Sequence, residues 1–201
     1  FDYCGGLTSI MIPNSVTSIG EYAFSGCANL KILSLESSVT TINNYAFSGC
    51  NFEEFTIADN VGYIGDRAFH GSDIRRIYGG KNVKHIGIYC FASTNLELFA
   101  LPETLEYIGD VAFSHTDITE VYLGNNVTFI GALAFGSCAL EKAVISDNLA
   151  DMADEIFKYC QSLKTIVIGG AVETIGVEAF GNCTALEAVI IPNSVTEISE
   201  D

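Results

Sequence analysis

Of 201 residues, 49% are hydrophobic and only 17% are charged, which excludes a disordered chain. Nine bases against 25 acids give a net charge of −16, so a phosphate backbone would be repelled and nucleic acid is excluded as a partner. No apolar run approaches the roughly 18 residues needed to cross a membrane, so this segment does not insert in one.

Nine phenylalanines recur at steps of 22 or 23 residues: Phe1, Phe24, Phe47, Phe69, Phe91, Phe113, Phe135, Phe157 and Phe180. One side chain returning at a fixed interval marks a stacked solenoid, in which each unit contacts only its neighbours. The spacing predicts a single solenoid domain over residues 1–201. The chain opens and stops within repeats, without full polar caps, and reads as a segment of a longer protein.

Within a unit the first element has the form L-x-x-I-x-I. Its last two apolar positions, such as Ile10 and Ile12 or Ile166 and Ile168, lie two apart and face one side of a strand. A turn follows, as at Pro13-Asn14-Ser15 or Gly124-Asn125-Asn126. Next comes V-x-x-I, read as a second short extended piece (Val16 to Ile19, Val127 to Ile130). A glycine column then appears at Gly20, Gly65, Gly87, Gly109, Gly131 and Gly176, with Asn43 in the second unit, and fits a corner of positive φ. Segments such as Glu21-Tyr22-Ala23-Phe24 predict one short helical turn, with small alanines (Ala23, Ala46, Ala68, Ala112, Ala134, Ala179) allowing close approach. The expected fold is an α/β solenoid of about nine units, curved because the helical side is bulkier, with a parallel strand ladder on its inner face.

The seventh unit breaks the pattern: Met152, Ala153 and Ile156 stand where Ile, Gly and Ala are usual, and Asp147, Asp151, Asp154 and Glu155 crowd around them. The spacing predicts a local irregularity there. Calcium is the alternative use of those acids, but no EF-hand spacing supports it.

The string IPNSVTSIGEYAFSGC resembles the consensus of BspA-like leucine-rich repeats, a type common in bacterial surface proteins, and the likeness covers almost the whole chain. The resemblance implies a large secreted or surface-anchored protein, an extracellular or cell-surface location, and adhesion to proteins of a host or of neighbouring cells. It supplies no shared catalytic motif, and fold alone does not dictate what such a scaffold binds.

Cys4, Cys27, Cys50, Cys138, Cys160 and Cys183 each sit three residues after a ladder phenylalanine, where Ser72, Thr94 and Thr116 stand in other units. A column that accepts thiol or hydroxyl calls for a small weak donor to a loop carbonyl, so buried reduced thiols are expected, with Cys90 in the alanine column. His70, His85 and His115 fall in different columns, so no nucleophile–base pair is expected; neither is a metal site or a cofactor.

On the strand face, Glu54, Arg76, Tyr78, Leu98, Glu120 and Tyr122 point outward from the middle units. Tyrosine and arginine give large, directional contact area, so these six form the candidate partner-binding surface. The competing reading is cross-strand pairing that only stabilises the ladder. Tyr63, His85, Tyr107 and Phe129 form a second aromatic row, read as self-packing or as a ledge for a protein or glycan. Val144, Val167 and Ile190 make an apolar stripe. The expected function is a noncatalytic interaction module; the alternative is a structural spacer displaying another domain.

Overall fold

The computed structural model describes residues 1–35 and 38–200. Among them the chain coils through about nine turns and carries seventeen short strands, in chain order β1 (Ser9–Ile12), β2 (Ser18–Ile19), β3 (Ile32–Leu35), β4 (Thr41–Ile42), β5 (Glu54–Ile57), β6 (Tyr63–Ile64), β7 (Arg76–Gly79), β8 (His85–Ile86), β9 (Leu98–Phe99), β10 (Tyr107–Ile108), β11 (Glu120–Tyr122), β12 (Phe129–Ile130), β13 (Lys142–Val144), β14 (Asp151–Met152), β15 (Thr165–Val167), β16 (Thr174–Ile175) and β17 (Glu197–Ile198). All pairings are parallel, between one coil and the next. The L-x-x-I-x-I segments form one face, in the groups β1-β3, β5-β7-β9 and β11-β13-β15, and the V-x-x-I segments form the other, as β2 to β12 and then β14-β16-β17.

Between the two faces lies the phenylalanine ladder. Its nine rings stack in eight consecutive near-parallel pairs, from 5.2 Å for Phe69–Phe91 to 6.0 Å for Phe157–Phe180. Phe47 through Phe157 are fully buried. Stacked rings at this distance add to the transfer of each large apolar side chain out of water, so the ladder is the core of the molecule.

The expected helical turn is not formed; no helix occurs among the described residues. The α/β assignment is therefore corrected to a solenoid of strands and turns. The cause lies in where the backbone donors go. Tyr22, Phe24 and Gly26 send their N–H groups to the carbonyls of Asn44, Ala46 and Ser48 one coil on, at 3.1, 2.8 and 2.8 Å. Donors used between coils are not free to bond within one segment, as a helix requires. The expectation of curvature rested on the bulk of that helix and loses its basis.

The glycine column is also corrected. Positive φ falls two residues later, at Tyr22, Tyr45, Arg67, Tyr89, Val111, Leu133, Glu155 and Glu178, with φ between 46° and 59°. The glycines are needed for close approach: a Cβ on Gly65 or Gly109 would stand 2.7 Å from the amide nitrogen of Asn44 or Ile88 below. Gly20, in the first coil, has nothing within 4 Å.

The irregularity of the seventh unit is present. β12 and β14 do not pair with each other, so the second face divides there, and a cavity of about 200 Å³ opens among Phe129, Ala150, Asp151 and Ala153. Ala153 carries a Cβ where most coils have glycine; Asn43 does too, but its Nδ2 ties it to Ser18 Oγ and the Ile19 carbonyl of the coil below, both at 2.8 Å, a link alanine cannot make.

Candidate functional site

The registers place the outward residues as the alternation requires. Glu54 lies beside Arg76, Arg76 beside Leu98, and Thr56 beside Tyr78, while Glu120 and Tyr122 lie beside Lys142 and Val144. Tyr78, Leu98 and Tyr122 are 43%, 49% and 50% exposed. Arg76 donates to Glu54 Oε1 at 3.0 Å, and the Tyr122 hydroxyl donates to Glu120 Oε2 at 2.8 Å. Lys142 Nζ sits 5.2 Å above the Tyr122 ring. The structure thus brings Glu54, Arg76, Tyr78 and Leu98 together on one group of strands. It sets Glu120 and Tyr122 on the next, because β9 and β11 do not pair. In the apolar stripe, Val144 and Val167 are in register, while Ile190 is 86% exposed and outside any strand.

A crevice of about 160 Å³ fills the gap between β9 and β11. Of its lining residues Ala100, Glu120 and Tyr122 are exposed, Phe99 is half-buried, and Val121 and the ladder rings Phe113 and Phe135 are buried. Side-chain size explains it. Phe99 leans toward Phe91, with ring centroids 5.6 Å apart, and the next residues in that inward column are the smaller Val121 and Ala143. The volume above Phe99 is left unfilled, and such a gap costs its lining the contacts it lacks.

The second aromatic row stacks face to face: Tyr63–His85 at 4.6 Å, His85–Tyr107 at 4.3 Å and Tyr107–Phe129 at 4.7 Å, all within 12° of parallel. These rings spend their faces on one another and turn their edges outward. Burial lowers the pKa of His85 and raises those of Tyr63 and Tyr107, so the row favours the neutral form of each ring.

The thiol column does what its alternation with hydroxyls implies. Cys27, Cys50, Cys138, Cys160 and Cys183 donate to the carbonyls of Phe1, Phe24, Phe113, Phe135 and Phe157 at 3.0–3.1 Å. Ser72 and Thr94 donate instead to Phe69 and Phe91 in their own coils, at 2.7 and 2.8 Å. Burial pushes the Cys50 thiol up to about 12 and the fully enclosed Cys90 well up. The histidines are spread: His70 Nδ1 meets the Ala92 carbonyl at 2.9 Å, His115 Nδ1 meets Ser114 Oγ at 2.9 Å, and His85 is in the aromatic row.

The acids of the seventh unit go to separate tasks. Asp147 and Asp154 accept the amides of Gly170 and Val177 at 3.0 and 2.8 Å, and Glu155 pairs with Lys158. Among the described residues no cluster could hold a metal ion.

Two features are not evident from the sequence. Asn44, Asp66, Asp110 and Asp154, each just past the glycine column position, accept the amide of the residue one coil on at 2.8–2.9 Å. Part of the acidity is therefore structural. The positive-φ column also forms a polar aromatic stripe: Tyr22 stacks on Tyr45 at 4.6 Å, and the Arg67 guanidinium lies between Tyr45 and Tyr89, 5.5 and 4.8 Å from their ring centres. The available signal was their position, two residues before successive ladder phenylalanines.

Residues 1–116 and 84–201 match the model of the BspA type leucine rich repeat region. Among solved structures, the Treponema pallidum leucine rich repeat protein is similar at 26% identity and a TM-score of 0.53, over 90% of this chain and 79% of that one. A leucine rich cell surface protein from Faecalibacterium prausnitzii is 24% identical with a TM-score of 0.52, over 100% of this chain and 61% of that one. A leucine-rich repeat protein from Bacteroides ovatus is 23% identical with a TM-score of 0.44, over 98% of this chain and 74% of that one. Among curated proteins none matches. With both halves of the chain matched and the ladder continuous from Phe1 to Phe180, the chain belongs to the BspA type leucine-rich repeat family.

Proposed function

We propose that the chain is a noncatalytic interaction module of an extracellular or cell-surface protein, binding a protein of a host or neighbouring cell through its strand face. The observation that carries this is the rigid display of half-exposed Tyr78, Leu98 and Tyr122 on laddered strands. Side chains already ordered by the backbone cost little to immobilise on binding, and tyrosines give wide contact with one directional group. The description of the Faecalibacterium prausnitzii protein as a cell surface protein agrees with the location read from the family.

The test is capture of partners from host-cell or matrix extracts by the wild-type chain and by a Tyr78→Ala, Leu98→Ala, Tyr122→Ala variant. Affinity for the captured partner should fall at least tenfold while the thermal midpoint stays near normal. Equal capture by both proteins would remove the strand face from the reading.

A structural spacer is the second reading. The Glu54–Arg76 pair favours it, since it joins neighbouring strands of the ladder, and the Tyr122 hydroxyl satisfies Glu120 within β11. A spacer captures no partner, whichever face is changed.

A further inference from the structure

We propose that the crevice between β9 and β11 anchors one aliphatic side chain of a basic, extended peptide segment, such as a leucine flanked by lysines. This rests on the strand-face reading and names the chemistry that face would hold.

Three observations converge on it. The first is size and lining: about 160 Å³, lined by Phe99, Val121 and the Phe113 and Phe135 rings. That is close to the ~150 Å³ at which a dry apolar cavity takes up benzene. An aliphatic group placed there recovers contacts the lining lacks and leaves water at little cost to its neighbours. The second is place. The exposed residues lining the crevice, Ala100, Glu120 and Tyr122, belong to the outward face, so a segment lying along that face reaches it without unstacking the coils.

The third is charge. Of nine bases, Arg75, Arg76, Lys81, Lys84, Lys158 and Lys164 are in ion pairs, Arg67 lies between two tyrosines, Lys142 lies over Tyr122 in register with Glu120, and Lys31 lies beside Asn51 and Glu53, away from the crevice. The acids outnumber them, and near the crevice Glu120 accepts only the Tyr122 hydroxyl, while the Glu103 carboxylate stands beside Gly124. Among the described residues neither carboxylate forms an ion pair. A cationic segment complements this surface; an acidic one, or a second copy carrying −16, is repelled.

The experiment uses a fluorescent, end-capped Lys-Lys-Leu-Lys-Lys peptide, its Leu→Ala analogue, and a version with glutamates for lysines. Binding is followed by anisotropy at low salt. Wild type should bind the leucine peptide about tenfold more tightly than the alanine one, and the glutamate one not at all. Ala100→Trp, which adds an indole at the crevice, should bring the leucine peptide down to the alanine level. Ala100→Leu is the milder second variant should the first fold poorly, with thermal midpoints checked for both. Glu120→Gln should weaken both basic peptides two- to threefold and keep the leucine preference.

Absence of any leucine preference in wild type, or a preference untouched by both Ala100 variants, overturns the proposal. If that happens while the Tyr78, Leu98, Tyr122 variant still loses its captured partner, the crevice is refuted and the strand-face reading stands. A leucine preference combined with unchanged capture supports the crevice and refutes the wider strand face as the surface that holds the partner.

Discussion

At Gly109 a Cβ would stand 2.7 Å from the Ile88 amide, with the backbone of Gly87 equally near, so Gly109→Ala should cost about 1–3 kcal/mol in urea unfolding. Gly20→Ala meets nothing within 4 Å and should stay within about 0.5 kcal/mol of wild type. Similar costs at both would mean that these glycines serve conformation and not approach. Ala153→Gly should do the reverse of Gly109→Ala, letting β14 close on β12 and raising the hydrogen-exchange protection of the Asp151 and Ala153 amides. The thiols supply a second residue-scale prediction. With its pKa pushed up to about 12 by burial, Cys50 should resist iodoacetamide at pH 8 in the folded chain and react only on unfolding. Rapid labelling of Cys50 in the native state would contradict the burial and the bond to the Phe24 carbonyl.

At the scale of the element, the aromatic row ties β6, β8, β10 and β12 into a single stacked edge. Burial between two tyrosines lowers the folded pKa of His85 below its ordinary value, while the Asp66 carboxylate opposes the shift weakly. A depressed folded pKa means that the unfolded chain binds the proton more readily. The stacking contribution is therefore complete above about pH 6.5 and is lost as pH falls through the folded value. The thermal midpoint of wild type should fall relative to that of His85→Phe as pH drops from about 7.5 to about 5.5. A difference that does not change with pH would mean that the imidazole titrates there as it does in water.

Much of this element-level architecture was legible. The two-residue alternation in L-x-x-I-x-I foretold which side chains face out, and the Met152-Ala153 departure foretold the break between β12 and β14. The turn segment was not legible. Four residues such as Glu21 to Phe24 carry helical propensity, and nothing in a single unit reveals that their amides bond to the next coil. The crevice was hidden for a related reason: it follows from three inward residues, Phe99, Val121 and Ala143, whose sizes matter only once the strands are stacked.

For the whole molecule, a net charge of −16 opposes compaction, and exposed pairs such as Lys81–Asp59 and Lys84–Glu106 contribute little each. Raising sodium chloride from about 20 mM to about 0.5 M should therefore raise the thermal midpoint, because screening relieves more repulsion than attraction. A falling midpoint would assign the inter-coil ion pairs a larger share than their exposure allows. Every surface assignment rests on equivalent positions advancing by one strand spacing per coil. Spin labels on outward residues measure that step: Thr165 paired in turn with Arg76, Glu54 and Ser9 spans four, five and seven coils. Electron–electron resonance distances should rise by about 4.8 Å per coil, to roughly 19, 24 and 34 Å. Distances that fail to rise in that order, or broad distributions in all three pairs, would contradict the stacked ladder and with it the strand face.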